Sequence, residues 1–184
     1  MEITRLAIPE VCILKPVRHG DDRGFFSETY NSRVLAAAGL NEAFVQDNHA
    51  YSALPGTVRG LHFQIPPHAQ AKLIRVVRGA IFDVAVDIRE GSPSYGRHVS
   101  AIISAGAWNQ IFIPAGFAHG LCTLEPDTEV IYKVTDYYSP SHDRGILWND
   151  PALGIEWPVK EAEAIVSERD RRHPLLAGLA PFPV

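Results

Sequence analysis

The chain has 184 residues, 46% of them apolar and 21% charged, with a formal net charge of -4 and two cysteines, Cys12 and Cys122. That length and apolar content support one folded domain over residues 1–184 and exclude intrinsic disorder. The acidic balance without a basic tract argues against nucleic acid as a partner, and the cysteines lack the spacing of a disulfide framework or a zinc knuckle.

The opening "MEITRLAIPEVCIL" lacks the basic region and long apolar run of a secretory signal, and no apolar stretch reaches membrane-span length. The expectation is a cytoplasmic protein with no membrane partner. In chain order, "VCILKPVRH" and "FFSETY" read as strands. "NSRVLAAAGL" reads as a helix, with Asn31 or Ser32 as N-cap and Gly39 as its stop. Further strands follow: "FVQDNHAYS", "TVRGLHFQ", "AKLIRVVRG", "AIFDVAVDIR", "HVSAIIS", "QIFIPAG", "HGLCTL" and "EVIYKVTDYY". "VKEAEAIVSERD" reads as a second short helix, and the proline-containing end as a surface tail. Turn residues at short intervals predict a mostly β chain, a sandwich or barrel with a few short helices.

Alternation along "EVIYKVTDYY" puts Val130, Tyr132, Val134, Asp136 and Tyr138 on one strand face. In "TVRGLHFQ", His62 and Gln64 point together, opposite Leu61 and Phe63. A barrel with a polar, ligand-holding interior accounts for both patterns.

"IPAGFAHG" resembles the second sequence motif of cupin barrels, which implies a jelly-roll fold. Metal-binding cupins carry H-x-H and a following Glu in their first motif, whereas this chain has His62-Phe63-Gln64 and no Glu before Glu90. His62 and His119 alone are a poor ligand set for a transition metal, so no metal and no cofactor are expected.

Beyond the cupin motif, "DDRGFFSE", "VRGLHFQ", "SPSYG", "FIPAGFAHG", "YKVTDYY", "GILWNDPALGIEWP" and "VSERD", in this order, resemble the dTDP-4-dehydrorhamnose 3,5-epimerase family. The resemblance implies a metal-free cupin-type jelly roll, a homodimer, and a dTDP-sugar substrate whose 4-ketone acidifies the protons on the flanking carbons. It implies His62 as the base, Asp170 as the carboxylate that orients it, Lys72 beside the developing enolate and Tyr132 as the acid on the other face. It also implies His119 and Asp83 as a second His–Asp pair, with His119 binding or orienting the substrate rather than abstracting protons and Asp83 supporting it. Arg23, Glu28, Gln46, Asn48, Arg59, Asp143 and Arg169 match positions that hold the nucleotide, phosphates or sugar; Phe26 and Tyr138 match positions near the thymine ring. The "DRGFFSE" segment is implied to reach the partner subunit's site.

Taken singly, Lys72 reads as a snorkelling surface lysine and Tyr132 as core packing. His19, His49, His68, His98, His142 and His173 are read as structural, Trp108, Trp148 and Trp157 as core or interface, and Gln64 has no assigned role. Three other functions stay open at this point. They are an epimerase of one carbon only, a non-catalytic nucleotide-sugar binder, and a metal-dependent cupin oxygenase.

Overall fold

The computed structural model describes residues 1–183. One sheet carries six strands in the order β1 (Glu2–Arg5), β2 (Cys12–Lys15), β10 (Gln110–Ile113), β7 (Lys72–Arg78), β12 (Thr128–Val134) and β5 (Gln46–Ser52). The second runs β13 (Asp143–Gly145), β6 (Thr57–Gln64), β11 (Phe117–Thr123), β8 (Ala80–Asp87) and β9 (His98–Ser104). A short β14 (Ile165–Val166) adds to β6 in parallel; the other pairings between these strands are antiparallel. β3 (His19–Asp21) and β4 (Gly24–Phe26) form a separate hairpin, and α1 (Ser32–Ala37) is capped by the Asn31 side chain. No helix among the described residues is long and apolar enough to cross a membrane.

The inward faces of the two sheets meet in an apolar cluster. Ile74, Val76, Ile111 and Ile113 come from the first sheet, and Ile81, Ala85, Ile103 and Leu121 from the second. Each large aliphatic side chain buried there contributes about 1.5–3 kcal/mol. Toward β5 and β6 the same inter-sheet space opens into a cavity of about 730 Å³, whose lining includes Ile74, Leu121 and Val130 from the core. The core thus forms one wall of the cavity and fixes the spacing of the polar strands around it.

Five sequence expectations change. No helix forms over "VKEAEAIVSERD": Ile165 donates to the carbonyl of Gly56, β14 pairs with β6, and a 3-10 turn follows at Asp170–Arg172. Pairing with a sheet edge outweighs the weak helix propensity of so short a segment. Nor is the proline-containing end a surface tail. Leu176 and Phe182 are buried, and Phe182 exchanges backbone hydrogen bonds with Ile88 and Glu90. β12 stops at Val134, so Asp136 and Tyr138 lie beyond the strand, and "FFSETY" is extended only as far as Phe26. Pro16 separates what reads as one early strand into β2 and the start of the hairpin.

Between β6 and β11 the register shifts. His62 faces His119 but Arg59 faces Leu121, so β6 carries one extra residue there. A bulge of this kind resets the alternation, which is how Arg59 and His62, an odd number of residues apart, both line the cavity. Gly60 sits in the bulge at φ +129°, and a Cβ there would lie 2.6 Å from the Cα of Gly120 and 2.8 Å from the carbonyl oxygen of His119. Both neighbours are backbone and cannot step aside. Gly60→Ala is therefore expected to cost about 3 kcal/mol. The corresponding drop in melting temperature is roughly 6–12 °C by calorimetry. An unchanged melting temperature would show that the bulge relaxes freely.

Candidate active site

The cavity draws its polar groups from both sheets. Gln46 and Asn48 on β5, Lys72 on β7 and Tyr132 on β12 come from one; Arg59 and His62 on β6 and His119 on β11 come from the other. Tyr138, Asp143, Arg169 and the buried Asp170 complete the lining.

His62 Nε2 lies 2.8 Å from Asp170 Oδ1. An ionised carboxylate only accepts, so Nε2 carries the proton and donates it, leaving the Nδ1 lone pair free. The other oxygen, Asp170 Oδ2, accepts the backbone N–H of Gly60 at 3.0 Å. The bulge that turns Arg59 and His62 to one face thus also supplies a donor to the carboxylate that orients His62. Burial by itself would raise the pKa of Asp170. The bond from His62, with the Gly60 N–H, outweighs it and holds the carboxyl at about 2.

Lys72 is buried rather than snorkelling, and its ammonium donates to the carbonyl oxygen of His62 at 3.1 Å. Desolvation lowers its pKa to about 8, against the opposing pull of Asp83 and Asp143. Burial raises the pKa of the Tyr132 phenol, so at neutral pH it keeps its proton and can give it up as an acid. His119 Nε2 donates to Asp83 Oδ2 at 2.9 Å, and burial of the ring lowers its pKa, favouring the neutral imidazole. Asp83 lies behind His119, fully buried, outside the cavity lining.

At the mouth the groups are held in advance. Arg59 donates to Ser52 Oγ and to the carbonyl of Tyr51, at 3.1 and 2.9 Å from Nη2. Gln46 donates to Asn48 and accepts from the N–H of Tyr138. Asp143 accepts from both Arg169 and the Tyr138 hydroxyl. Guanidinium forks fixed in this way suit a diphosphate, and the exposed Tyr138 ring offers a stacking surface.

Three expected ligand residues are elsewhere. Arg23, Phe26 and Glu28 do not line the cavity: Arg23 pairs with Asp21, Glu28 accepts from Asn31, and Phe26 is 72% exposed on the hairpin. Two other residues gain a place. Gln64 donates to the carbonyls of His68 and Tyr137 and accepts from the N–H of Ser139, tying together two loops at the rim. His173, read as structural, lies with Nε2 3.6 Å from Asp170 Oδ1 and its ring edge-on to His62. Burial lowers its pKa. Its short separation from Asp170 in sequence was the one available signal, and nothing in the strand pattern pointed to it.

An imidazole with a free lone pair on one sheet faces a protonated phenol and a buried ammonium on the other. Proton transfer beside a polarised carbonyl is the chemistry such an interior suits, and on this barrel it defines the class of cupin-type epimerases. A family model described as dTDP-4-dehydrorhamnose 3,5-epimerase matches residues 5–178, and the chain belongs to that family. The dTDP-4-dehydrorhamnose 3,5-epimerase of Pseudomonas aeruginosa is 50% identical over the full length of both chains. The crystal structure of the Bacillus anthracis enzyme with TDP and pyrophosphate bound superposes with a TM-score of 0.91 at 50% identity, covering 95% of this chain and 98% of that one. The Legionella pneumophila enzyme in complex with dTDP-4-keto-L-rhamnose also gives 0.91, at 41% identity, covering 97% and 94%.

Proposed function

We propose that the protein inverts carbons 3 and 5 of dTDP-4-dehydro-6-deoxy-D-glucose to give dTDP-4-dehydro-L-rhamnose, on the route to dTDP-L-rhamnose. The observation that carries this reading is the placement of His62 and of Tyr132 with Lys72 on opposing sheets around one cavity. Inversion needs a base on one face of the sugar, an acid on the other, and a charge to hold the enolate between them. His62 Nδ1 takes the proton beside the ketone, and the imidazolium that forms is stabilised by Asp170. Lys72 offsets the negative charge on the carbon-4 oxygen. Tyr132 returns a proton from the far face, while neutral His119, held by Asp83, orients the sugar. Arg59 and Arg169 bind the diphosphate, with Gln46, Asn48 and Asp143 on the nucleotide and sugar and Tyr138 against the thymine. This reading takes residues 1–184 as one domain working in the cytoplasm, in keeping with two free, buried cysteines.

Proton NMR of the substrate in heavy water tests the assignment. Deuterium entering both carbons 3 and 5, with the L-sugar forming, is the expected result; entry at one carbon would make the protein a mono-epimerase. No entry at either would leave a non-catalytic binder.

The reading includes a homodimer in which Arg23, Phe26 and Glu28 complete the partner's site. Its support is the position of the β3–β4 hairpin, whose Phe25 and Phe26 are exposed and whose Arg23 is absent from its own chain's cavity. Two impaired variants, His62→Ala and Arg23→Ala, are expected to restore activity when unfolded and refolded together. Half the dimers are then mixed and one site in each is intact, giving roughly a quarter of wild-type activity. Absence of rescue would place Arg23 in its own chain's site or outside any site.

A further inference from the structure

We infer that His62, Asp170 and His173 form a binding site for a zinc-type divalent metal ion, and that occupancy switches the base off. The donor atoms of the three side chains all lie within 4.8 Å of one another. His173 Nε2 is buried and has no hydrogen-bond partner, while lying 3.6 Å from Asp170 Oδ1. A buried imidazole nitrogen without a partner is an exception that asks for one. The ring is held there from two sides. It packs edge-on against His62 at 5.7 Å and lies over Gly145, where any Cβ would collide with it.

Two imidazoles and a carboxylate are a donor set that zinc takes readily, with a fourth position left open. Bonds of 2.0–2.2 Å in a tetrahedron place donors about 3.4 Å apart. The His173–Asp170 separation of 3.6 Å is already close to that value. The His62–Asp170 separation of 2.8 Å has to widen by about half an ångström. His62 and Asp170 line the cavity, so an ion arrives through the same opening as the substrate. This set differs from the cupin motif positions, because His119 Nε2 is engaged by Asp83 on the other side of β11.

The inhibition follows from the tautomer. In the metal-free protein His62 Nε2 carries the proton and Nδ1 holds the lone pair. A metal on Nε2 takes that nitrogen's lone pair, so the proton of the neutral ring moves to Nδ1. The nitrogen that has to accept a proton from the sugar is then already protonated. No oxidant, reductant or leaving group is involved.

Metal binding itself does not depend on the proposed reaction; only the inhibition rests on it. The test is titration of the purified protein with Co2+, read by the visible bands of a tetrahedral ion, alongside deuterium exchange into substrate with and without Zn2+. One Co2+ per chain and a Zn2+ inhibition that a chelator reverses are expected. His173→Phe keeps a ring over Gly145, and His173→Gln serves if that variant does not fold. Each is compared with its own metal-free rate. Loss of the ligand should weaken Co2+ binding and raise the half-inhibitory Zn2+ concentration by at least about tenfold. Zn2+ affinity unchanged in both variants, or no tetrahedral Co2+ spectrum in the wild type, would overturn the site. A Co2+ spectrum in a protein with no exchange activity at all would instead count against the epimerase reading, leaving the metal site standing.

Discussion

His62→Ala is expected to abolish deuterium incorporation at both carbons of the keto-sugar, by about a hundred- to ten-thousand-fold, the usual worth of a positioned base. Nucleotide binding, measured by calorimetry with TDP, should survive, because Arg59, Arg169 and Tyr138 do not depend on the imidazole for their hydrogen bonds. Near-normal exchange in this variant would remove His62 from the base role. The substitution also strands Asp170, whose carboxylate loses the His62 donor on Oδ1 and keeps the Gly60 N–H on Oδ2. A carboxyl held at about 2 in the folded protein, below its unfolded value, contributes stability at pH above the unfolded pKa. That contribution disappears as pH falls from about 4 toward 2. In His62→Ala the largest favourable cause of the shift is gone, so wild type and variant should differ in melting temperature at neutral pH and converge in acid.

Lys72→Met should carry the second large effect. Methionine fills much of the same buried volume without a charge, so the change isolates the ammonium. Removing a preorganised charge beside a developing oxyanion costs on the order of a hundred- to a thousand-fold in turnover. The pH profile gives an independent check. Lys72 loses its proton as pH rises through about 8, so the wild-type rate should fall on that alkaline limb. Lys72→Met should lack that inflection while keeping whatever acidic limb the wild type shows. A methionine variant with unchanged turnover and the same alkaline fall would exclude Lys72 from enolate stabilisation.

Much of the strand order was legible in the sequence, because β-branched and aromatic residues cluster between turn residues and the core strands are long enough to show the pattern. The errors fall where local sequence is weakest. "VKEAEAIVSERD" has helical residues but is captured by the β6 edge through Ile165. Phe182 looks like part of a tail until Ile88 and Glu90 offer it backbone partners. Tyr138 reaches the cavity from a loop beyond β12, so its agreement with the strand-face argument is not the reason it lies there.

By itself the sequence determined the β class and the family, and it named the groups proposed here for the chemistry, since residue type sets which groups can carry a proton or a charge at neutral pH. Three matters were decided only by the tertiary structure. One is the bulge at Gly60, which lets Arg59 and His62 share a face and lends its N–H to Asp170. Another is the burial that lowers the pKa of Lys72 and raises that of Tyr132. The last is the approach of His173 to the dyad. Register shifts, desolvation and contacts between distant segments depend on how the two sheets close on each other, and alternation along a single strand carries no record of that.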